Sequence, residues 1–227
     1  MLRRIALVAC LFLAACTTTN TRLADKAPVK PAAGARILIL QPDIELSLLP
    51  VAGAPEARAD WSSQARENIN RELKAATAAK SHQFRELDPS SVEDPRVLQL
   101  LRLHEAVGNS IQGFNYGLYS LPTKKDFSWT LGSGAQALGQ AYDADYALFT
   151  FGRGSFSSGG RKAAMVGAAL LGVALPSASQ VAFTSLVDLK TGKVMWFNVA
   201  VAGPNSDMRT PEGAKVFATA LLKDAPL

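Results

Sequence analysis

The chain has 227 residues, 48% of them hydrophobic and 19% charged, with a formal net charge of +5. That composition excludes an intrinsically disordered chain, and no run of eighteen apolar residues exists to make it a polytopic membrane protein. The length suits one domain with a full core and is short for two.

The first elements are a basic start, Arg3 and Arg4, followed by an apolar stretch from Ile5 to Ala15. This is the pattern of a secretory signal and is too short to span a bilayer. Its end, Leu13-Ala14-Ala15-Cys16, resembles a bacterial lipobox. The resemblance implies cleavage before Cys16, a diacylglycerol on its sulfur and an acylated new amine. An ordinary signal peptide with an incidental Cys16 is the alternative. Several acyl chains give stable anchoring where one is marginal. In a Gram-negative host, Thr17 in place of an aspartate implies sorting to the outer membrane. Cleavage would remove Arg3, Arg4 and Cys10, lowering the net charge to +3 and leaving Cys16 as the one remaining cysteine. No disulfide or cysteine metal site is then expected.

Residues 16–35 combine the lipidated cysteine with a Thr-, Ala- and Pro-rich segment that reads as a flexible tether reaching roughly 25 Å. The domain proper is expected over 36–227. Arg36–Leu40 is a short continuous apolar run, as in a buried strand, and 44–49 alternate as a second strand. Asp60 is placed to cap a helix reaching about Ala79, with Trp61, Ala65, Ile69, Leu73 and Ala76 on one apolar face. His82–Leu87 reads as a strand. Asp94-Pro95 is a helix start, and Val97, Leu100, Leu101, His104, Val107 and Ile111 share a face of the helix that follows. Residues 113–129 read as a long loop, and Thr130 or Ser128 as the start of a helix to Tyr142, with Leu131, Ala135 and Leu138 inward. Asp145–Phe151 is a predicted strand and Gly152–Gly160 a glycine- and serine-rich turn. Gln180–Leu189 and Val194–Ala202 form a predicted β-hairpin around Lys190–Lys193. Thr210, Pro211 and Glu212 open a last helix to about Leu222. The sum is one α/β (α+β) domain. It has a mixed sheet, flanking helices, and a C-terminal hairpin followed by a helix.

The stretch 142–149 and the stretch 182–196, through Ala144, Asp145, Tyr146, Asp188, Thr191, Gly192 and Trp196, resemble a broad group of bacterial envelope lipoproteins. That group includes the curli secretion channel lipoprotein and the lipoproteins that activate penicillin-binding proteins. The resemblance covers about a quarter of the chain and implies a fold more than an activity. Asp-x-x-Thr-Gly is a good hairpin turn in any β-protein, because the Asp and Thr side chains bond the turn and the glycine takes positive φ. The curli channel would need long alternating hairpins, and 163–175 shows no alternation.

Motifs for chemistry are sparse. His104-Glu105 would need a second histidine at position 108 to hold zinc, and Gly108 stands there. No metal or other cofactor is expected. A nucleotide-binding loop from Gly154 fails because Gly160 occupies the lysine position. Two histidines nominate no nucleophile–base pair. The carboxylates Glu86, Asp88, Glu93 and Asp94 read as solvated surface. Arg153, Arg161 and Lys162 are the candidate binding residues: a basic, glycine-rich loop for an anionic group, with a plain flexible loop as the alternative. Residues 163–175 are thirteen apolar residues in a row. Three readings stand for them: a small-residue helix packed in the core or across the sheet edge, a self-association surface, or a segment dipping into the membrane beside the anchor.

These readings predict a non-enzymatic lipoprotein of the outer membrane, on its periplasmic face, that acts by binding. Its partner would be another envelope protein or a second copy, in assembly, secretion or cell-wall-related work. A ring- or channel-forming secretion component is the alternative, and an envelope hydrolase using carboxylates a lesser one. Nucleic acid is not an expected partner.

Overall fold

The computed structural model describes residues 17–24, 30–117, 119, 121–124, 126–173, 175 and 179–227. The signal segment and Cys16 lie outside the described residues.

The expected mixed α/β domain is present. One sheet carries eight strands among the described residues. They are β1 (Thr18–Leu23), β2 (Arg36–Leu40), β3 (Asp43–Leu49), β4 (Glu56–Ala57), β5 (Gln83–Leu87), β6 (Tyr146–Ser157), β7 (Gln180–Asp188) and β8 (Val194–Val201). The spatial order is β1-β8-β7-β6-β2-β5, and β3 pairs with β6 and β4. β2 and β3 are both parallel to β6, one along each half of it. Gln41 and Pro42 separate them, and a proline cannot donate to a ladder, so it divides a strand at such a point. β2 is also parallel to β5, while β6, β7, β8 and β1 run antiparallel in turn.

Both faces of the sheet are covered. On one lie α1 (Ala59–Ala79) and α5 (Pro211–Leu221); on the other lie α2 (Pro95–Ile111) and α3 (Ala135–Tyr142). β2 therefore reads as a continuous apolar run: Ile37 and Ile39 enter the α1/α5 core, and Leu38 and Leu40 the α2/α3 core. A strand buried on both sides cannot alternate. Trp196 and Phe217 are fully buried in the first core. Phe149, Phe183 and Phe197 fill the second, where the Phe183 ring lies 5.0 Å from Phe197.

Helix ends follow the expected chemistry with one exception. Asp94 accepts from the Arg96 amide ahead of Pro95, and Thr210 accepts from the Gly213 amide. Asp60, expected as a cap, lies inside α1 instead. Arg58 occupies the cap position and makes no capping bond there, and its guanidinium pairs with the Asp60 carboxylate at 2.6 Å. The hairpin turn is held as its sequence implied. Asp188 Oδ1 accepts from the Lys190 amide at 2.8 Å. Gly192 has φ +75°, and a Cβ there would lie 2.1 Å from the Gly132 carbonyl oxygen.

Four expectations are corrected. Residues 18–23, read as part of a flexible tether, form β1 against β8, because Thr and Asn can alternate on an exposed edge. Residues 113–129 are not all loop: a turn of π-helix, Gln112–Tyr116, extends α2. The helix expected from 128 or 130 begins only at Ala135, because Thr130 bridges to Lys193 and Gly132 takes φ +71°. The glycine-rich turn expected at 152–160 is strand up to Ser157. Gly152 and Gly154 sit between β3 and β7, where a Cβ would lie 3.3 Å from Ile44 and 2.7 Å from Leu46. The missing side chains reflect close packing there, where the sequence suggested a bend.

A last helix, α4 (Gly159–Leu170), buries none of its residues. Packing of 163–175 inside the core is thereby overturned for its described residues, while Ala164, Met165 and Ala168 remain partly buried. No helix of the described residues is long and apolar enough to cross a membrane.

Candidate functional site

The sheet has two unlike ends. At one end are the start of β1, the end of β8, the start of β7 and the ends of β6 and β3: Thr18 pairs with Val201, Val201 with Val181, Gly154 with Gln180, and Leu49 with Ser157. Thr17, the residue after Cys16, is at this end, where its hydroxyl meets that of Ser206. α4 also springs from here, out of the end of β6. At the other end are the hairpin turn and the starts of β2 and β6.

The hairpin end holds a wide cleft of about 880 Å³ between the α3–β6 turn, the segment before β2 and the hairpin. Its charges are arranged around Arg36. The Arg36 guanidinium grips Asp145 at 2.7 and 3.1 Å and also bonds Asp143, while the Arg36 amide donates to Asp145 at 3.0 Å. These bonds hold the Asp145 carboxyl below its ordinary range. Asp143 stands in a left-handed conformation, φ +49°, at the end of α3, a position aspartate tolerates better than most residues. Gln136 and Gln140 on α3, and Asp188 and Lys190 on the hairpin, complete the polar rim. Among the described residues that line the cleft there is no serine, cysteine or histidine. It is a recessed polar surface whose central charges match two to two, because Arg85 also reaches Asp143 at 3.5 Å beside the Arg36–Asp145 pair.

The three cations singled out in the sequence do not form one loop. Arg153 lies on β6 and crosses to β3, pairing with Asp43 and Glu45 at 3.2 Å each, over the ring of Phe151. Arg161 and Lys162 are about 13 Å or more further along, in the first turn of α4. Arg161 donates to the Pro50 carbonyl at 3.3 Å, and its amide bonds the capping Ser158 hydroxyl. Lys162 is exposed and lines a cavity of about 570 Å³ with Trp61, Phe156, Met165 and Arg209. There Trp61 meets Phe156 edge-on at 5.4 Å, and Arg209, held by Asp207 at 2.8 Å, stacks 3.4 Å from Phe156. Nothing in the sequence flagged Arg209. It precedes the cap of α5 and reads there as an ordinary loop residue.

His104 is a third feature. It is buried on α2, stacked 3.8 Å from Phe149, with Nε2 at 2.7 Å from the Ser185 hydroxyl. Burial pushes the imidazole down to about 3, so it is neutral at ordinary pH. Ser185 is 0% exposed in mid-strand, so the pair braces α2 against β7, and only the His104 side of it borders a small cavity of about 160 Å³ beside Phe149. Glu93 is exposed, and the other three carboxylates at 86–94 have structural partners. Glu86 takes Lys74 and Asn70, Asp88 caps Ser90, and Asp94 caps α2. Among the described residues, no three His, Cys, Asp or Glu side chains converge as metal ligands.

No family model matches the chain, and no curated protein matches it. Among solved structures, the chain is similar to a PelC dodecamer from Paraburkholderia phytofirmans, with 11% identity over 92% of this chain and 98% of that one, at a TM-score of 0.44. It is similar to lipoprotein GNA1162 from Neisseria meningitidis, with 12% identity over 75% and 85% of the two chains, at 0.33. It is also similar to the LpoB C-terminal domain from Salmonella enterica, with 15% identity over 79% and 87%, at 0.28. Likenesses of this size carry no function from one chain to another.

Proposed function

We propose that the protein is an outer-membrane lipoprotein, anchored through Cys16 on the periplasmic face, that acts by binding another envelope component rather than by catalysis. One observation carries the reading. The residue next to Cys16 and the polar cleft lie at opposite ends of the sheet, so an anchored chain presents the cleft away from its own bilayer. The cleft's central charges neutralise one another, which suits recognition of a polar surface. The work served is assembly, secretion or a cell-wall-related process.

Two measurements test this. Metabolic labelling with palmitate should mark the chain and fail to mark Cys16→Ala; a label that survives the substitution overturns the anchor. A photo-crosslinking residue at Gln140 or Lys190, in the cleft rim, should give a discrete product in cells, and the same residue at Ser110 on α2 should not. Turnover of an envelope substrate by the purified lipoprotein, lost on a point substitution, would overturn the non-catalytic reading.

A second reading, a ring- or channel-forming secretion component, is favoured by the exposed apolar surface of α4. A defined ring of the lipidated chain in mild detergent, seen by microscopy, would promote it over the first.

A further inference from the structure

Among the described residues, the α4 segment carries the most exposed run of large apolar side chains. From Ala163 to Leu175 its sequence has no polar side chain. A surface helix of a soluble domain ordinarily sets an apolar stripe inward and polar residues outward. Here the inward face is Arg161, Ala164, Met165 and Ala168, all only partly buried. The outward face is apolar too: Val166 is 64% exposed, and Leu170 and Leu171 are 84% and 83% exposed. Val173, just past the helix, is 52% exposed. Water is a poor neighbour for so many contiguous apolar groups, and a patch of this kind marks an interaction surface.

Its place in the fold says what covers it. α4 leaves the end of β6, and Thr17 enters at the same end of the sheet, on β1. Three strand spacings separate β1 from β6, about 14 Å. Acyl chains on Cys16 would therefore hold this end of the domain against the bilayer, with the helix within one helix length of the anchor. Val51 and Val201, 57% and 41% exposed, lie at the same end. Lys162, at the start of the helix, is placed for headgroups, where a cation near an anionic surface contributes favourably. The opposite end carries the ion-paired cleft and no comparable apolar patch among its described residues.

We propose that α4 and the residues just after it are a second membrane contact. Val166, Leu170, Leu171 and Val173 would sit in the headgroup–acyl boundary of the bilayer that holds Cys16, without spanning it. The lipid anchor fixes which end of the domain faces the membrane, and the helix fixes the domain's tilt upon it. Lipid is the occupant because the anchor already places this end at the bilayer, so the helix meets lipid without a further encounter, whereas a contact through the α4 of a second copy needs two anchored chains to meet. The inference rests on the anchored-lipoprotein reading.

The test uses the full lipidated chain. Its two cysteines are Cys10, in the signal, and Cys16, whose sulfur the anchor occupies, so Leu170→Cys offers a single reactive thiol. The labelled protein is reconstituted in vesicles of phosphatidylethanolamine and phosphatidylglycerol, and flotation is measured alongside fluorescence. An environment-sensitive fluorophore at Leu170→Cys should be quenched by a spin-labelled lipid with its nitroxide near the headgroup and shielded from aqueous iodide. The same fluorophore at Lys190→Cys should be open to iodide only. In the L170E/L171E background, a probe at Val166→Cys should rise to the iodide quenching of the Lys190→Cys probe, as expected when the apolar face no longer partitions. A floating protein whose Leu170 probe stays open to iodide overturns the membrane contact and leaves the anchor standing. A probe shielded from iodide but not quenched by lipid overturns it in favour of a second copy or another protein. A chain that does not float overturns the anchor and this inference together.

Discussion

α4 and α5 are nearly the same length, twelve and eleven residues, and both are rich in alanine. α5 buries Ala214, Phe217, Ala218 and Leu221 in the core it shares with α1, and turns Glu212, Lys215 and Thr219 outward. α4 buries nothing. Apolar content does not separate the two; the spacing of polar residues does. A helix with a polar face can be placed on a sheet with that face to water. A helix without one has no side to give to water, and here the sheet's two faces are already covered by α1, α5, α2 and α3. Such a helix is left for a different solvent or a partner.

The contrast can be broken by substitution. Phe217→Ala, in a fully buried site, should cost about 3–5 kcal/mol in denaturant unfolding. If it costs less than 1, α5 is not the core element described. Acid should act next most strongly, and above the ordinary carboxylate range it should act through the covered layer. His104 stays neutral when folded and regains its ordinary value of 6.5 when unfolded. Below that value the unfolded chain takes up a proton the folded chain refuses. Stability should therefore be full above about pH 6.5 and fall by up to about 1.4 kcal/mol per pH unit towards 3. His104→Phe should flatten the fall between pH 6.5 and 5, a window above the ordinary carboxylate range; an unchanged slope there would show that the imidazole is not neutral in the fold. Gly108→Ala would bring a Cβ within 2.7 Å of the Phe183 ring and should cost about 1–3 kcal/mol by the same measurement. Asn198→Ala removes the two 2.8 Å bonds that hold the Ala220 and Leu221 carbonyls at the end of α5, for a loss of about 1–2 kcal/mol. Leu170→Ser should change stability by less than about 0.5 kcal/mol, because its site is already exposed. A larger loss would mean that α4 packs on the domain after all.

The legible parts of the fold were those where one local rule acts alone. Asp94-Pro95 and Thr210-Pro211 fixed helix starts because a cap and a first-position proline need no distant partner. Asp188, Thr191 and Gly192 fixed the hairpin turn for the same reason. The misread parts depend on neighbours far away in sequence. Gly152 and Gly154 suggest a turn until Ile44 and Leu46 are seen pressed against them. Thr18–Leu23 suggest a tether until β8 offers an edge. The cleft was less legible still. Arg36 and Asp145 are more than a hundred residues apart, and nothing in either local sequence announces the other. Of the three basic residues singled out, Arg153 is spent on β3 and the other two sit on a different element.

β1 has a mechanical consequence. If Cys16 is the anchor, any load between bilayer and domain enters through Thr17 and passes along β1, whose six residues are laddered antiparallel to β8. Tension along the strand axis at that end stresses the rungs together, in shear, instead of opening them one after another. The edge strand then acts as a clamp in series with the lipid, and the weakest link under pulling becomes the hold of the acyl chains on the membrane.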